Sequence, residues 1–471
     1  MLDLLLKNGM IITVDSHHTL YERGYLGISG DAIACLGPMD DATELPAAVR
    51  VIDLEGKPIL PGLIDGHGHA GHCMTKTMAE HTGGDRWETL VESIYYRYSD
   101  EEFWYVEGAL GAAERLKFGV TTGVSMVGNT PRVDKIWPIA ASIRGSVDAG
   151  IRQYTGIGSA NGPWPKTGRT WKEDGSFEEY EVTPKMAWES TEEALKTLNG
   201  VHPRQNCIVA PGRMGFRPWE SVEDNIAHNR KMYELAVKYD QPIHTHAYGK
   251  DVQFLYDHTP EILDYKLSLT HSTRYSPEEL AILARSKAYV FHGPTTHAHI
   301  LGWCPVMEML DMGINVAVIT DGTAPDRSYD LWRDMKNVQL LQRAHFRDTK
   351  LLPCGKVLEM VTIEPAKALG IDHLVGSLEV GKKADIIRVD TEQPHLAPFG
   401  IMPIQRLVYH AMGQDVDLVI VNGEIMMEGR TLTHIDEKNI IARSKAVFEQ
   451  IMDRTGHPDV FNNPHLYDLR Q

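Results

Sequence analysis

Between residues 57 and 375 the chain alternates short apolar runs with amphipathic stretches of helix length, and this alternation constrains the fold more than any other feature. The runs include Gly119-Val120-Thr121-Thr122-Gly123-Val124, Cys207-Ile208-Val209-Ala210, Pro242-Ile243-His244-Thr245-His246 and Leu267-Ser268-Leu269-Thr270-His271. Ala288-Tyr289-Val290-Phe291-His292 and Asn315-Val316-Ala317-Val318-Ile319-Thr320-Asp321 continue the series. Near-continuous apolar runs of this length read as parallel strands buried on both faces. About 310 residues of such alternation suffice for an eightfold (β/α) barrel. A doubly wound sheet shows the same pattern. The barrel is favoured because polar residues end several different strands, and barrel active sites are built at strand C-termini.

The chain ends have another texture. Leu4-Leu5-Leu6, Ile11-Ile12-Thr13-Val14, Tyr25-Leu26-Gly27-Ile28 and Ala32-Ile33-Ala34-Cys35-Leu36 are short strand-like runs between turn residues. The same texture returns in residues 384–389 and 417–426. The expected architecture is therefore α/β: a TIM-type (β/α)8 barrel plus a small β-sandwich domain built from both chain ends. Residues 1–56 and 376–432 form the sandwich in this reading and 57–375 the barrel. Residues 433–471 form a C-terminal helix and tail, with an amphipathic helix over 436–455 and an irregular terminus over 456–471. Segment 155–190, with Gly156, Gly158, Gly162, Pro163, Pro165 and Gly168 around Trp164 and Trp171, is long and irregular for a connection, and reads as a lid over the barrel mouth or a plain surface excursion.

Composition removes several classes of function. The 47 basic and 64 acidic side chains give a net charge of −17, which argues against nucleic-acid or anionic-membrane partners. Cys35, Cys73, Cys207, Cys304 and Cys354 are scattered without Cys-x-x-Cys spacing, so neither a disulfide framework nor a thiolate zinc motif is indicated. No stretch approaches 18 apolar residues. The expectation is a soluble cytoplasmic protein whose partner is a small molecule.

The chemistry gathers at four strand ends. Pro61-Gly62-Leu63-Ile64-Asp65-Gly66-His67-Gly68-His69 closes an apolar run with two histidines at i and i+2, which would leave one face of a strand together. His244 and His246 end the fifth run, His271 the sixth, and Asp321 the eighth. Imidazole and carboxylate suit Zn²⁺ or Fe²⁺, and three histidines with one aspartate leave a position for water. A lone histidine at a strand end is more often a hydrogen-bonded core residue; the convergence of several ends is what points to a metal. Pocket candidates from other strand ends are Asn129, Arg213, Arg217, His292, His297 and Trp303, with Trp164, Phe216 and Trp219 as walls. Arg213 and Arg217 read equally well as salt-bridge partners, and His72 as a residue of the mouth or a helix cap.

With "LPGLIDGHGH" at 60–69, "FGVTTGV" at 118–124, "PIHTHA" at 242–247, "LTHST" at 269–273 and "TIEPAKALG" at 362–370, the chain resembles the amidohydrolase superfamily. The long segment 292–322 and the closing segments 376–390 and 416–430 carry the same resemblance. Within the superfamily it is similar to the mononuclear branch that includes guanine, cytosine and adenosylhomocysteine deaminases and triazine hydrolases such as atrazine chlorohydrolase. The resemblance implies His67, His69, His246 and Asp321 as metal ligands, His271 as a substrate-polarising residue and His244 as support. It implies one divalent metal per chain, with zinc first and iron or manganese after it, because the fourth run offers no lysine to bridge two ions. It also suggests a homodimer or larger homo-oligomer.

One departure matters. Deaminases of this branch carry a glutamate three residues after the fifth-strand histidine, where this chain has Gly249, followed by Lys250 and Asp251. The leading expectation is hydrolysis of a C–N bond in a non-peptide amide, cyclic amide, urea or carbamate, with Asp321 as the single proton shuttle. An aminohydrolase or dechlorinating hydrolase of a purine, pyrimidine or s-triazine is the alternative. A catalytically inactive scaffold of the same fold is the reading from a different class.

Overall fold

Eight parallel strands follow one another around a nearly closed barrel in a computed structural model that describes residues 1–78, 84–127 and 132–456. They are Leu63–Asp65, Val120–Val127, Arg152–Ile157, Gln205–Val209, Ile243–Tyr248, Leu267–Thr273, Tyr289–His292 and Val316–Val318, numbered first to eighth below. A two-residue strand, His69–Ala70, extends the first beside the second. All residues of the first, fifth, sixth and eighth strands except Tyr248 are buried, as strands covered by helices must be.

The helices between strands carry local start signals. Val222–Lys238 begins at Ser221, whose hydroxyl accepts from the Asp224 amide, and buries Asn225, His228, Asn229, Met232, Leu235 and Ala236 at helical spacing. Pro277–Leu283 begins with a complete capping box between Ser276 and Glu279.

The first and eighth strands share no ladder. The Asp65 carboxylate joins them instead, accepting from the Thr320 amide at 3.0 Å and the Thr320 hydroxyl at 2.8 Å. The same carboxylate accepts from Arg115 Nε and Nη2 at 3.1 and 2.9 Å. Amides of Ile64 and Val318 are satisfied by the carbonyls of Val361 and Met360. One buried carboxylate thus sets the strand that leads to His67 and His69 against the one that leads to Asp321.

The chain ends combine into a single nine-stranded sheet, in which Pro58–Pro61 lies between Leu2–Ile12 and Ile386–Val389. Two details differ from expectation. Leu4–Leu6 and the apolar run from Ile11 belong to one strand, Leu2–Ile12, because register shifts around Asn8 (φ 59°) and Gly9 absorb the turn-like residues without breaking it. Conversely, residues 417–426 are two strands, Val416–Val421 and Glu424–Glu428, reversed at Asn422-Gly423, both at positive φ. Asn-Gly is the pair that a tight hairpin turn of this hand selects.

Segment 155–190 is ordered rather than irregular. It contains a hairpin of Lys166–Trp171 and Phe177–Val182 and the start of helix Pro184–Thr197. The hairpin is anchored by Trp171 Nε1 donating to the Arg97 carbonyl at 2.7 Å and by Arg132 donating to the Arg169 carbonyl at 2.9 Å. The C-terminal helix is Glu437–Thr455, capped by Asp436; the tail beyond Gly456 lies outside the described residues. Among those residues no helix is long and apolar enough to cross a membrane.

Candidate metal centre

His67, His69 and His246 offer ring nitrogens that all lie within 4.8 Å of one another, at the C-terminal end of the barrel. Asp321 joins them, with Oδ1 3.4 Å from His67 Nε2 and 3.2 Å from His69 Nε2. All four are buried. The two first-strand histidines do not share a strand face as the i, i+2 spacing suggested. The ladder breaks after Asp65, His67 lies between the two ladder segments, and His69 opens the second, both segments running beside the second strand. Gly68 permits this path, since a Cβ there would lie 2.3 Å from Arg115 Nη2. The rings still converge, 4.7 Å apart at 86°.

The hydrogen bonds fix which nitrogens face inward. His246 Nδ1 lies 2.6 Å from the Gly212 carbonyl, which can only accept, so Nδ1 carries the proton and Nε2 presents a lone pair. A longer relay acts on His67. The Ser268 hydroxyl donates to the Ile243 carbonyl at 3.3 Å, and so accepts from His244 Nδ1 at 2.8 Å. His244 Nε2 is then the acceptor for His67 Nδ1 at 2.6 Å, which leaves His67 Nε2 bare. That atom is buried without a hydrogen-bond partner, and His246 Nε2 lies 3.3 Å from His69 Nε2. Buried acceptors aimed at one point are what a cation site needs, and imidazoles held from behind by carbonyl or hydroxyl groups are the usual support for ligands. The donor set fits a divalent cation.

Electrostatics agree. Burial drives the imidazolium of His67 well below its usual range and brings His246 down to about 4 and His244 to about 3, so these rings are neutral at neutral pH. Burial alone would push Asp321 up, but Arg327 and the close approach of His67 and His69 outweigh it and hold the carboxyl well below the ordinary range. Thr296 donates to Asp321 Oδ2 at 2.9 Å, fixing the carboxylate from its far side. Asp321 (φ 65°) and His271 (φ 77°) both hold left-handed backbone conformations, strain of the kind concentrated at functional positions.

His271 stacks on His246 at 5.1 Å and 7°, with Nδ1 unpartnered. Arg213 is engaged: Nε and Nη2 donate to Asp251 at 2.9 and 3.0 Å, and its guanidinium lies 5.0 Å from the Tyr248 ring. Arg217 binds Asn225 and Glu220. Trp303 stacks on His345 at 3.6 Å, and His292 packs edge-on against His297. Asn129 lies outside the described residues. His72, which the sequence left between two roles, stacks on His69 and fills the space against Gly322; nothing in its spacing announces this. At Gly249, where the resemblance leads one to expect a deaminase's glutamate, a Cβ would meet the Arg274 carbonyl oxygen at 2.3 Å.

Residues 59–426 match the family model described as the amidohydrolase family. A 5-methylthioadenosine/S-adenosylhomocysteine deaminase of Moorella thermoacetica is 30% identical over 461 residues, covering 93% of this chain and 97% of its own. A 5'-deoxyadenosine deaminase of Methanobrevibacter smithii is 27% identical over 470 residues, covering 96% and 98%. Among solved structures, an adenosine deaminase from Xanthomonas campestris with bound zinc superposes with a TM-score of 0.79 at 21% identity, over 96% of this chain and 99% of that one. Atrazine chlorohydrolase of Arthrobacter aurescens, complexed with zinc and atraton, gives 0.79 at 22% identity, over 94% and 100%. These structural likenesses establish the fold.

Proposed function

Given that this chain belongs to the amidohydrolase family, metal-dependent hydrolases of C–N bonds in small molecules, we propose that it cleaves a non-peptide amide, cyclic amide, urea or carbamate. The observation that carries this choice is Gly249. The position that holds the proton-shuttling glutamate in the branch's deaminases has no room here for a side chain. The nearest following carboxylate, Asp251, is turned into Arg213 and the amides of Phe216 and Tyr248. Proton transfer then falls to one group, which suffices for an amide or urea and serves a deamination that must also protonate a ring nitrogen less well.

In this reading His67, His69, His246 and Asp321 hold one zinc ion per chain. When bound, the metal supplies the Lewis acid that lowers the pKa of water from ~15.7 towards ~7. Asp321, ionised at neutral pH, takes the water proton and returns it to the leaving nitrogen. His271, neutral and close-packed on His246, donates its single N–H to the oxygen on which charge develops. His244 and Ser268 keep His67 in the ligating tautomer. The catalytic unit is segment 57–375, and the protein is cytoplasmic and a homodimer or larger, in keeping with five unpaired cysteines.

The second reading is deamination of an adenosine-like heterocycle, which the names of the two relatives favour. The test is elemental analysis of the purified chain with a His67→Ala control, followed by two panels: amides, ureas and carbamates, and aminopurine nucleosides read by ammonia release. Turnover confined to the first panel supports the proposal. Turnover confined to the second replaces it, and a chain that holds no metal after reconstitution is a scaffold.

A further inference from the structure

We propose that the chain carries a second, thiolate-containing metal site formed by His292, His297 and Cys304, which takes a borderline-soft divalent cation such as zinc. The seventh strand ends at His292, the following turn of helix begins at His297, and Cys304 precedes helix Val306–Asp311. Their donor atoms lie within 4.8 Å of one another, and the three side chains are 1%, 3% and 2% exposed.

The hydrogen bonds repeat the logic of the first centre. His297 Nδ1 lies 3.0 Å from the Gly302 carbonyl, so Nδ1 is protonated and Nε2 is bare, and Nε2 has no partner. Neither nitrogen of His292 has one. Edge-on ring packing accounts for the 4.6 Å contact between the two rings, but not for three buried ring nitrogens without partners, each costing ~1–3 kcal/mol. Imidazole and thiolate are both ordinary zinc ligands, and three of them leave a fourth position for water. Burial pushes the free Cys304 thiol up, so cation uptake releases its proton. The site is separate from the first but adjacent to it, since the ring of His271 lies 5.1 Å from that of His246 and 6.1 Å from that of His297.

Cobalt provides the probe. The full-length chain is stripped, reconstituted with Co²⁺, and read by metal content and by the near-ultraviolet absorption of a cobalt–thiolate bond. Wild type should take up a second equivalent and show the band. Cys304→Ser should lose the band and one equivalent while keeping the other, and His67→Ala should do the reverse. His297→Gln supplies an independent lesion should the serine variant fail to fold. Water filling the cluster would give no band and no second equivalent, and would overturn the proposal. A band that survives in both Cys304→Ser and His297→Gln would overturn it equally. A wild-type chain that shows the band but takes up only that one equivalent, unchanged in His67→Ala, would instead refute the first centre.

Discussion

Replacing Gly249 tests whether its lack of a side chain is imposed by the backbone. Its amide donates to the Thr273 carbonyl at 2.9 Å, and a Cβ would lie 2.3 Å from the Arg274 carbonyl oxygen. Arg274 is itself at φ 63°, in a strand end that also holds Ser272 (φ 52°) and His271. Ordinary contact begins at 3.4 Å, so Gly249→Ala requires a shift of roughly 1 Å between two backbone segments, an overpacking cost of ~1–3 kcal/mol. Reduced freedom of the unfolded chain offsets ~0.4–1 kcal/mol of that. Gly355→Ala is the control, because a Cβ there meets nothing within 4 Å in helix Cys354–Glu359, and it should stabilise by ~0.5–1 kcal/mol. Urea unfolding followed by tryptophan emission should separate the two variants by ~2 kcal/mol. The displaced carbonyl is three residues from His271, so Gly249→Ala should also lower kcat/KM, by up to ~10²-fold for a 1 Å misplacement. Gly249→Glu should gain no deaminase activity. Equal stability of the two alanine variants, or a Gly249→Glu protein that deaminates aminopurines, would refute the steric argument.

Other consequences can be measured directly. Asp321→Asn should abolish turnover, and full activity in a metal-loaded variant would remove Asp321 from the mechanism. Ser268→Ala releases the relay that holds His67 in its ligating tautomer, and should weaken metal affinity ~10–100-fold without touching a ligand; an unchanged dissociation constant in competition with a chelator would show that the relay is idle. Asp65→Asn leaves Arg115 buried without its charge partner and should cost ~3–5 kcal/mol in urea unfolding, a loss that Arg115→Met in the same chain should largely reverse. Burial also makes stability depend on pH. It holds His244 at about 3, His246 and His297 at about 4, and His228 well below the usual range. The unfolded chain takes up these protons near pH ~6.5 and the native one does not, so the contribution is complete above ~6.5 and is lost as pH falls towards ~4, at up to ~1.4 kcal/mol per unit per histidine. Urea midpoints that stay level between about pH 7 and pH 5 would contradict this.

The barrel was legible because strands buried on both faces must be apolar throughout, and the runs at Ile243, Leu267 and Val316 are. The cluster of His67, His69, His246 and Asp321 was legible because its residues follow such runs, so that finding the strands located the side chains that converge. What was missed depends on geometry with no periodic trace. The i, i+2 spacing of His67 and His69 suggested a continuous strand, but the ladder breaks between Asp65 and His69 and the two rings converge across that break. The hairpin of 166–182 hid behind glycine and proline, whose turn propensity says nothing about the strands between them. Asn422-Gly423, a short-range signal, was absorbed into an apolar run that outweighed it. His297 and Cys304 share no metal-binding spacing, and only the tight turn after the seventh strand brings them to His292.

The accessory sheet has a consequence for synthesis. Pro58–Pro61 is flanked by Leu2–Ile12 on one side and by Ile386–Val389 on the other, so its outer edge waits for a partner that leaves the ribosome roughly 320 residues later. At ~5–20 residues per second that wait is on the order of half a minute. During it, the nascent chain displays an apolar strand edge able to pair with another copy. Production of this protein in a foreign host should therefore depend on translation speed and on chaperones that cover nascent chains, and a permuted gene that begins at the Ile386 strand, which shortens the wait, should depend on both less.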